Sequence, residues 1–187
     1  MDTVSDATAT LCSFLMTDKE HTTYLGLGTN LGDKQSNITV AIRKIEERIG
    51  RVERQSALFF SQPWGFVSEN SFVNAVVLCK TTLSPRQLLR ATQGIEREMG
   101  RKGKSVKGVY HDRIIDIDIL LYDDLHINYP DLVIPHPLMQ KRDFVMIPLR
   151  EVMAQVGDDD ADEEKNDLIG EDTQETGDDA FPVESST

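Results

Sequence analysis

The sequence predicts an α+β domain, a sandwich in which helices pack on an antiparallel sheet, and three observations carry that prediction. Apolar and β-branched residues mark out four short strands, apolar residues recur at helical spacing in two longer segments, and these follow one another in the order β-α-β-β-α-β. At 187 residues the chain has room for one such domain but not for two of ordinary size.

The first strand is Thr23–Gly28, a short apolar run ending in glycine. From Asp33 to Ile49 the apolar positions Ile38, Ala41, Ile42, Ile45 and Ile49 fall on one side of a helix, and Gly50 stops it. Between the two, GLGTNLGDK fits neither GxGxxG nor GxxxxGK[ST], so Gly26, Gly28 and Gly32 read as a tight strand-to-helix turn rather than a phosphate cradle. Val52–Gln62 and Phe72–Thr82 are strands on either side of the turn-rich PWGFVSENS. A second helix starts with Ser84 as its N-cap and Pro85 at the first helical position, runs to Met99 and stops at Gly100. After a basic linker comes Arg113–Tyr122, which is strongly β-prone; LVIPHP and LMQKRDFVMIPLREV read as a loop with one or two short helices. The order is that of the ferredoxin-like split βαβ arrangement.

Charge divides the chain. Thirteen of the 32 acidic residues and one of the 20 basic residues lie in 158–187, which leaves 19 of each sign in 1–157. The expected organisation is a loose leader (1–22), a folded domain (23–157) and a disordered acidic tail (158–187) too poor in apolar groups to offset its ordering entropy. Met16 stands just ahead of the first strand, so it is a second candidate start. A neutral domain lacks the excess of Lys and Arg that nucleic acid demands, so no nucleic-acid partner is expected. No apolar run approaches the roughly 20 residues of a membrane span. Cys12 and Cys79 are too few for a disulfide framework. A cytoplasmic monomer is the expected form.

The strand RIIDIDILLY carries the chemistry. Alternation directs Ile115, Ile117, Ile119 and Leu121 to one buried face and puts Asp116 and Asp118 on the other, their Cα atoms about 7 Å apart. Two carboxylates so close repel each other and are costly to desolvate. They are either solvent-facing surface groups or ligands of a hard dication such as Mg²⁺, which takes one or two carboxylates plus phosphate oxygens and water. The preceding stretch REMGRKGKSVKGVYHDR favours the second reading. It gathers Arg97, Arg101, Lys102, Lys104, Lys107, His111 and Arg113, cations that suit a polyphosphate whose magnesium the aspartates hold. A second half-site lies in SQPWGFVSENSFVNAVV, where Phe72 and Asn74 share a strand face and Trp64 and Phe66 precede them. An aromatic face beside an amide suits a flat, nitrogen-rich ring, although Phe72 fits an ordinary core equally well.

Taken in order, GLGTNLGD, SQPWGF with FVNAVV, IEREMGR, DRIIDIDILLYDD and IPHPLMQKRDFVMIPL closely resemble the 6-hydroxymethyl-7,8-dihydropterin pyrophosphokinase family of folate biosynthesis, over residues 22–155. The resemblance implies a ferredoxin-like fold and transfer of pyrophosphate from ATP to the pterin's hydroxymethyl group, with AMP released. It implies that Asp116 and Asp118 bind two magnesium ions. It assigns Phe72 and Phe144 to the rings that sandwich the pterin, Asn74 to the amide that reads its edge, and Ser61, Gln62 and Trp64 to the rest of that pocket. Glu96, Arg101, Arg113, His136 and Arg142 match positions that contact ATP, and Arg101 and Arg113 join the two aspartates as catalytic residues. The chain departs from the family where Tyr110-His111-Asp112-Arg113 replaces a common Trp-Gly-Pro-Arg, so that Tyr110 takes the place of the lid ring. Gly103 stands where a second loop arginine is often found, and Pro137 where some members have tyrosine. Two other readings compete. A silent relative that only holds pterin or nucleotide has no need of the Asp116/Asp118 pair, and an RNA-binding sheet of this fold calls for positive charge and exposed central aromatics.

Overall fold

The structure, a computed structural model, describes residues 19–65, 68–101 and 112–167, the stretch from 156 as backbone alone. Its elements are β1 (His21–Thr29), α1 (Lys34–Arg48), β2 (Gly50–Gln55), β3 (Phe59–Ser61), β4 (Phe72–Thr81), α2 (Pro85–Glu98), β5 (Asp116–Tyr122), β6 (Ile127–Tyr129), β7 (Leu132–Ile134), a 3₁₀ turn at Met139–Lys141 and α3 (Asp143–Asp167). The main sheet runs β2-β4-β1-β5, antiparallel throughout, with β3 continuing beside β4. This is the order that two interleaved β-α-β units produce, so the predicted ferredoxin-like sandwich is the fold.

Local chemistry accounts for the helix boundaries. Asp33 caps α1 by accepting from the Ser36 N–H at 3.0 Å. Gly50 ends it because a Cβ there would lie 2.0 Å from the Lys80 carbonyl oxygen. At α2 the Gln87 side chain accepts from both the backbone N–H (2.9 Å) and the hydroxyl (2.6 Å) of Ser84. Ile38, Ala41 and Ile45 of α1 and Leu88 and Ile95 of α2 then meet Leu25, Leu27, Val77, Ile117 and Ile119 of the sheet, and Ile115 just ahead of β5, in one buried core.

Five expectations change. Val52–Gln62 is two strands, because Ala57 turns its N–H to Glu151 of α3 (2.8 Å). The carboxy-terminal stretch has a short 3₁₀ turn at Met139–Lys141, as expected, but the helix after it is long rather than short and passes through Pro148. Val145, Leu149 and Val152 hold it by packing on Val76, Leu78 and Leu120, which form a second core on the other sheet face. The backbone stays helical to Asp167, past residue 157, where the sequence places the end of the domain; Ala161, Glu163, Glu164 and Lys165 are good helix formers on an already nucleated helix. Ahead of α3, Ile127–Tyr129 and Leu132–Ile134 pair as a hairpin whose Leu132 and Ile134 enter the main core.

The fifth concerns Leu121. The β1–β5 register slips between Tyr24 and Leu25, so Leu120 is an extra residue on β5. Beyond it the alternation inverts. Leu121 packs against the second core and Tyr122 against the first, the reverse of unbroken alternation.

Candidate active site

α3 covers only part of the second sheet face. Over the remainder lies a cleft open to solvent, about 670 Å³ when its open mouth is counted. Its floor is two cross-strand rows. In one, Asn74 of β4 faces Gly28 of β1, which faces Asp116 of β5; in the next, Val76, Gly26 and Asp118 stand opposite one another. Both central positions are glycine, and that absence of side chains makes the cleft. A Cβ at Gly28 would come within 3.2 Å of Asn74 Oδ1, and one at Gly26 within 3.3 Å of the Leu120 side chain. Gly26 and Gly28 are therefore not turn residues, contrary to the reading from sequence; Gly32, with φ +62°, is the one in the turn. Their role depends on which residues lie across the sheet, and the linear sequence carries no signal for that.

One end of the cleft is aromatic. Trp64, Phe72 and Phe144 line it together with Ser61 and Gln62. Asn74 is held by donating to Ser61 Oγ (2.9 Å) and the Phe59 carbonyl (3.3 Å), which leaves its Oδ1 over Gly28. Arg142, buried at the rim, places its guanidinium 4.7 Å from the Trp64 ring centre and 5.8 Å from that of Phe144.

The other end is ionic. Asp116 accepts from Arg101 at 2.5 Å and from Arg113, and Arg101 also pairs with Glu96. Glu96 is buried and accepts the Ile117 N–H at 2.8 Å, which ties α2 to the strand of the aspartates. Burial drives the Glu96 carboxyl above its ordinary range; the Ile117 N–H opposes this and the Asp116 charge adds to it. Asp118 is also raised, by burial first and by neighbouring Asp116 second. His136 donates its backbone N–H to Leu120 O at 3.0 Å, and burial followed by the Arg142 charge lowers its imidazole. Among the described residues the site sets Glu96, Asp116 and Asp118 against Arg101, Arg113 and Arg142.

The sequence-predicted residues Ser61, Gln62, Trp64, Phe72, Asn74, Arg113, Asp116, Asp118, Arg142 and Phe144 all line this one cleft. Glu96 and Arg101 reach it through Asp116, and His136 stands beside it without lining it. Tyr110, expected as the lid ring, lies outside the described residues, as do Lys102 and Lys104. Sequence reasoning missed the glycine floor and the apolar wall of Leu120 and Val145.

A family model for 7,8-dihydro-6-hydroxymethylpterin-pyrophosphokinase matches residues 24–154, from within β1 into α3, and takes in the described part of the cleft. The chain belongs to that family. Its relatives include the 2-amino-4-hydroxy-6-hydroxymethyldihydropteridine pyrophosphokinases of Porphyromonas gingivalis and Aquifex aeolicus. The first is 48% identical over 130 residues, covering 69% of this chain and 88% of the relative. The second is 45% identical over 131 residues, 70% and 79% of the two chains. The fold also matches solved HPPK-DHPS structures. One, solved with substrates, has a TM-score of 0.58 at 14% identity and covers 71% of this chain and 40% of its own. A Plasmodium falciparum triple mutant scores 0.57 at 18% identity, covering 73% and 41%. The pterin pyrophosphokinase chain thus spans about two fifths of those larger proteins, and the likeness is one of fold.

Proposed function

We infer that this chain, a hydroxymethyldihydropterin pyrophosphokinase by family, works in folate synthesis by moving pyrophosphate from ATP to the pterin's hydroxymethyl group inside this cleft, with magnesium held by Asp116 and Asp118. The observation that carries the site assignment is the continuity of the two ends. An aromatic and amide pocket passes through a floor of two glycines into a pair of carboxylates, so a flat ring at one end brings its substituent to the other.

The donor set fits the metal. No group of three or more His, Cys, Asp or Glu side chains suited to a metal is assembled among the described residues. Two carboxylates are what Mg²⁺ needs when phosphate and water supply its other oxygens. The Asp116 charge adds to the cost of ionising buried Asp118, which a dication would relieve. Two such ions would neutralise polyphosphate oxygens and leave the β-phosphorus open to attack.

The side chains divide the remaining work. Trp64, Phe72 and Phe144 offer faces to the pterin, Asn74 Oδ1 accepts from its ring edge, and Ser61 and Gln62 close that end. Arg101 and Arg113, both paired with the one carboxylate of Asp116, gain phosphate oxygens as alternative acceptors when ATP enters, and Arg142 is placed to do the same. The pterin hydroxyl oxygen bonds to the β-phosphorus and gives up its proton to solvent, the bond from that phosphorus to the α,β-bridging oxygen breaks, and AMP leaves with that oxygen. The enzyme acts as a cytoplasmic monomer on small molecules alone. No helix among the described residues is long and apolar enough to cross a membrane.

Incubation with hydroxymethyldihydropterin, ATP and Mg²⁺ tests the assignment: AMP is the expected nucleotide product, and ADP would mean ordinary kinase chemistry. Asp116→Ala and Asp118→Ala should abolish turnover and weaken Mn²⁺ binding, read by electron paramagnetic resonance, in folded protein. Near-normal turnover in both variants would remove the metal assignment.

A further inference from the structure

Asp112 sits at the edge of the cleft, exposed, and the catalytic reading gives it no part. Its carboxylate is nevertheless the meeting point of three donors from two other segments. Oδ1 accepts from Asn30 Nδ2 at 2.6 Å and from Ser68 Oγ at 2.7 Å; Oδ2 accepts from Asn70 Nδ2 at 2.7 Å. Ser68 and Asn70 belong to the connection from β3 to β4 that also carries Trp64. Asn30 is buried and anchored to the next residue of the Asp112 segment: its N–H donates to Arg113 O (3.1 Å), and its Oδ1 accepts the Arg113 N–H (2.8 Å). Arg113 in turn bonds Asp116.

We propose that Asp112 is a positioning residue, a clasp that fixes the β3–β4 connection against the start of β5 so that Trp64 stands over the pterin end of the cleft. Three convergent hydrogen bonds on one ionised acceptor, with its neighbour locked by Asn30, are more than a solvated surface aspartate needs. The carboxyl is held below its usual range by the bonds from Ser68 and Asn70, as a group used in its ionised form would be.

The proposal rests on the pterin-side assignment above, and the chain's single tryptophan, Trp64, allows the two to be tested apart. In the wild type, pterin added with a non-hydrolysable ATP analogue should change Trp64 fluorescence and shield it from acrylamide. Absence of that response would overturn the pterin-side assignment and the clasp with it. Given the response, Asp112→Ala should raise acrylamide quenching of Trp64 and raise the KM for pterin about tenfold, the size of one lost charge-assisted hydrogen bond. The KM for ATP should stay within about twofold, and the melting temperature should fall by only a few degrees, since Asn30 Nδ2 loses one acceptor. Asp112→Asn, which keeps one acceptor but turns an NH₂ group on a donor, should fall between wild type and alanine. Ser68→Ala/Asn70→Ala should match Asp112→Ala, and the triple variant should be no worse than either. Unchanged quenching and pterin KM in Asp112→Ala would overturn the clasp, as would multiplying effects in the triple variant. So would an equal loss for both substrates accompanied by lower stability.

Discussion

Truncating Glu96 should cost stability and nucleotide binding by separable routes. Its carboxylate is the partner of the Ile117 N–H at 2.8 Å on the outer edge of β5, where no further strand lies among the described residues, and it pairs with Arg101. Glu96→Ala strands a buried N–H, costing about 1–3 kcal/mol, and removes one of two carboxylates from the Arg101 guanidinium, for a total of about 2–4 kcal/mol. Glu96→Gln keeps an oxygen acceptor for Ile117. It also removes a charge that burial disfavours, so it should stay within about 1 kcal/mol of wild type. In urea unfolding, Ala should therefore lie well below Gln, with a melting temperature about 10 °C under wild type. Both variants leave Arg101 less restrained, so both should raise the KM for ATP about fivefold, whatever their stability. Glu96→Ala unfolding within 1 kcal/mol of wild type, or Gln falling as far as Ala, would refute the reasoning.

Gly28→Ala should fold yet raise the KM for pterin about tenfold, because the new Cβ meets Asn74 Oδ1 at 3.2 Å; Gly26→Ala meets only the flexible Leu120 side chain at 3.3 Å and should be milder. Steady-state kinetics with each substrate varied in turn would show it. Chelation with EDTA should stop AMP formation while the far-UV circular dichroism stays unchanged, and added Mg²⁺ should restore it, since the two core clusters are apolar and need no ion. Far from the cleft, Asp123 accepts from Thr22 N–H (2.7 Å) and bonds His21 Nδ1 (2.6 Å). Burial works against its ionised form, but these bonds hold its carboxyl below the ordinary value. Its folded pKa being the lower one, its contribution is complete above the unfolded value of about 4 and is lost as pH falls through the folded one. Asp123→Asn, which tolerates the residue's φ of +41°, should melt lower than wild type at pH 7, and the gap should close below about pH 4.

The sequence by itself determined what depends on short-range spacing. Period-two and helical patterns placed the six principal elements, the Ser84-Pro85 start of α2 held, and alternation put Asp116 and Asp118 on one face because nothing interrupts β5 before Leu120. The family blocks then led to the aromatic end of the site, since their side chains face the cleft from elements whose order was already legible. The tertiary structure alone decided what depends on which residue lies opposite. Gly26 and Gly28 look like turn glycines in the chain and become the cleft floor only when β1 is flanked by Asn74 and Val76 on one side and by Asp116 and Asp118 on the other. A bulge whose cause lies in pairing with Tyr24 and Leu25 sent Leu121 to the opposite face. α3 outran its apparent break at Pro148 because a second core pins Val145, Leu149 and Val152. Asp112, a mere departure from a motif in the sequence, gained three donors from residues about 40 and 80 positions away. Local patterns are set by the chain's own stereochemistry, but a cleft is set by register, and register is a property of strands that meet only after folding.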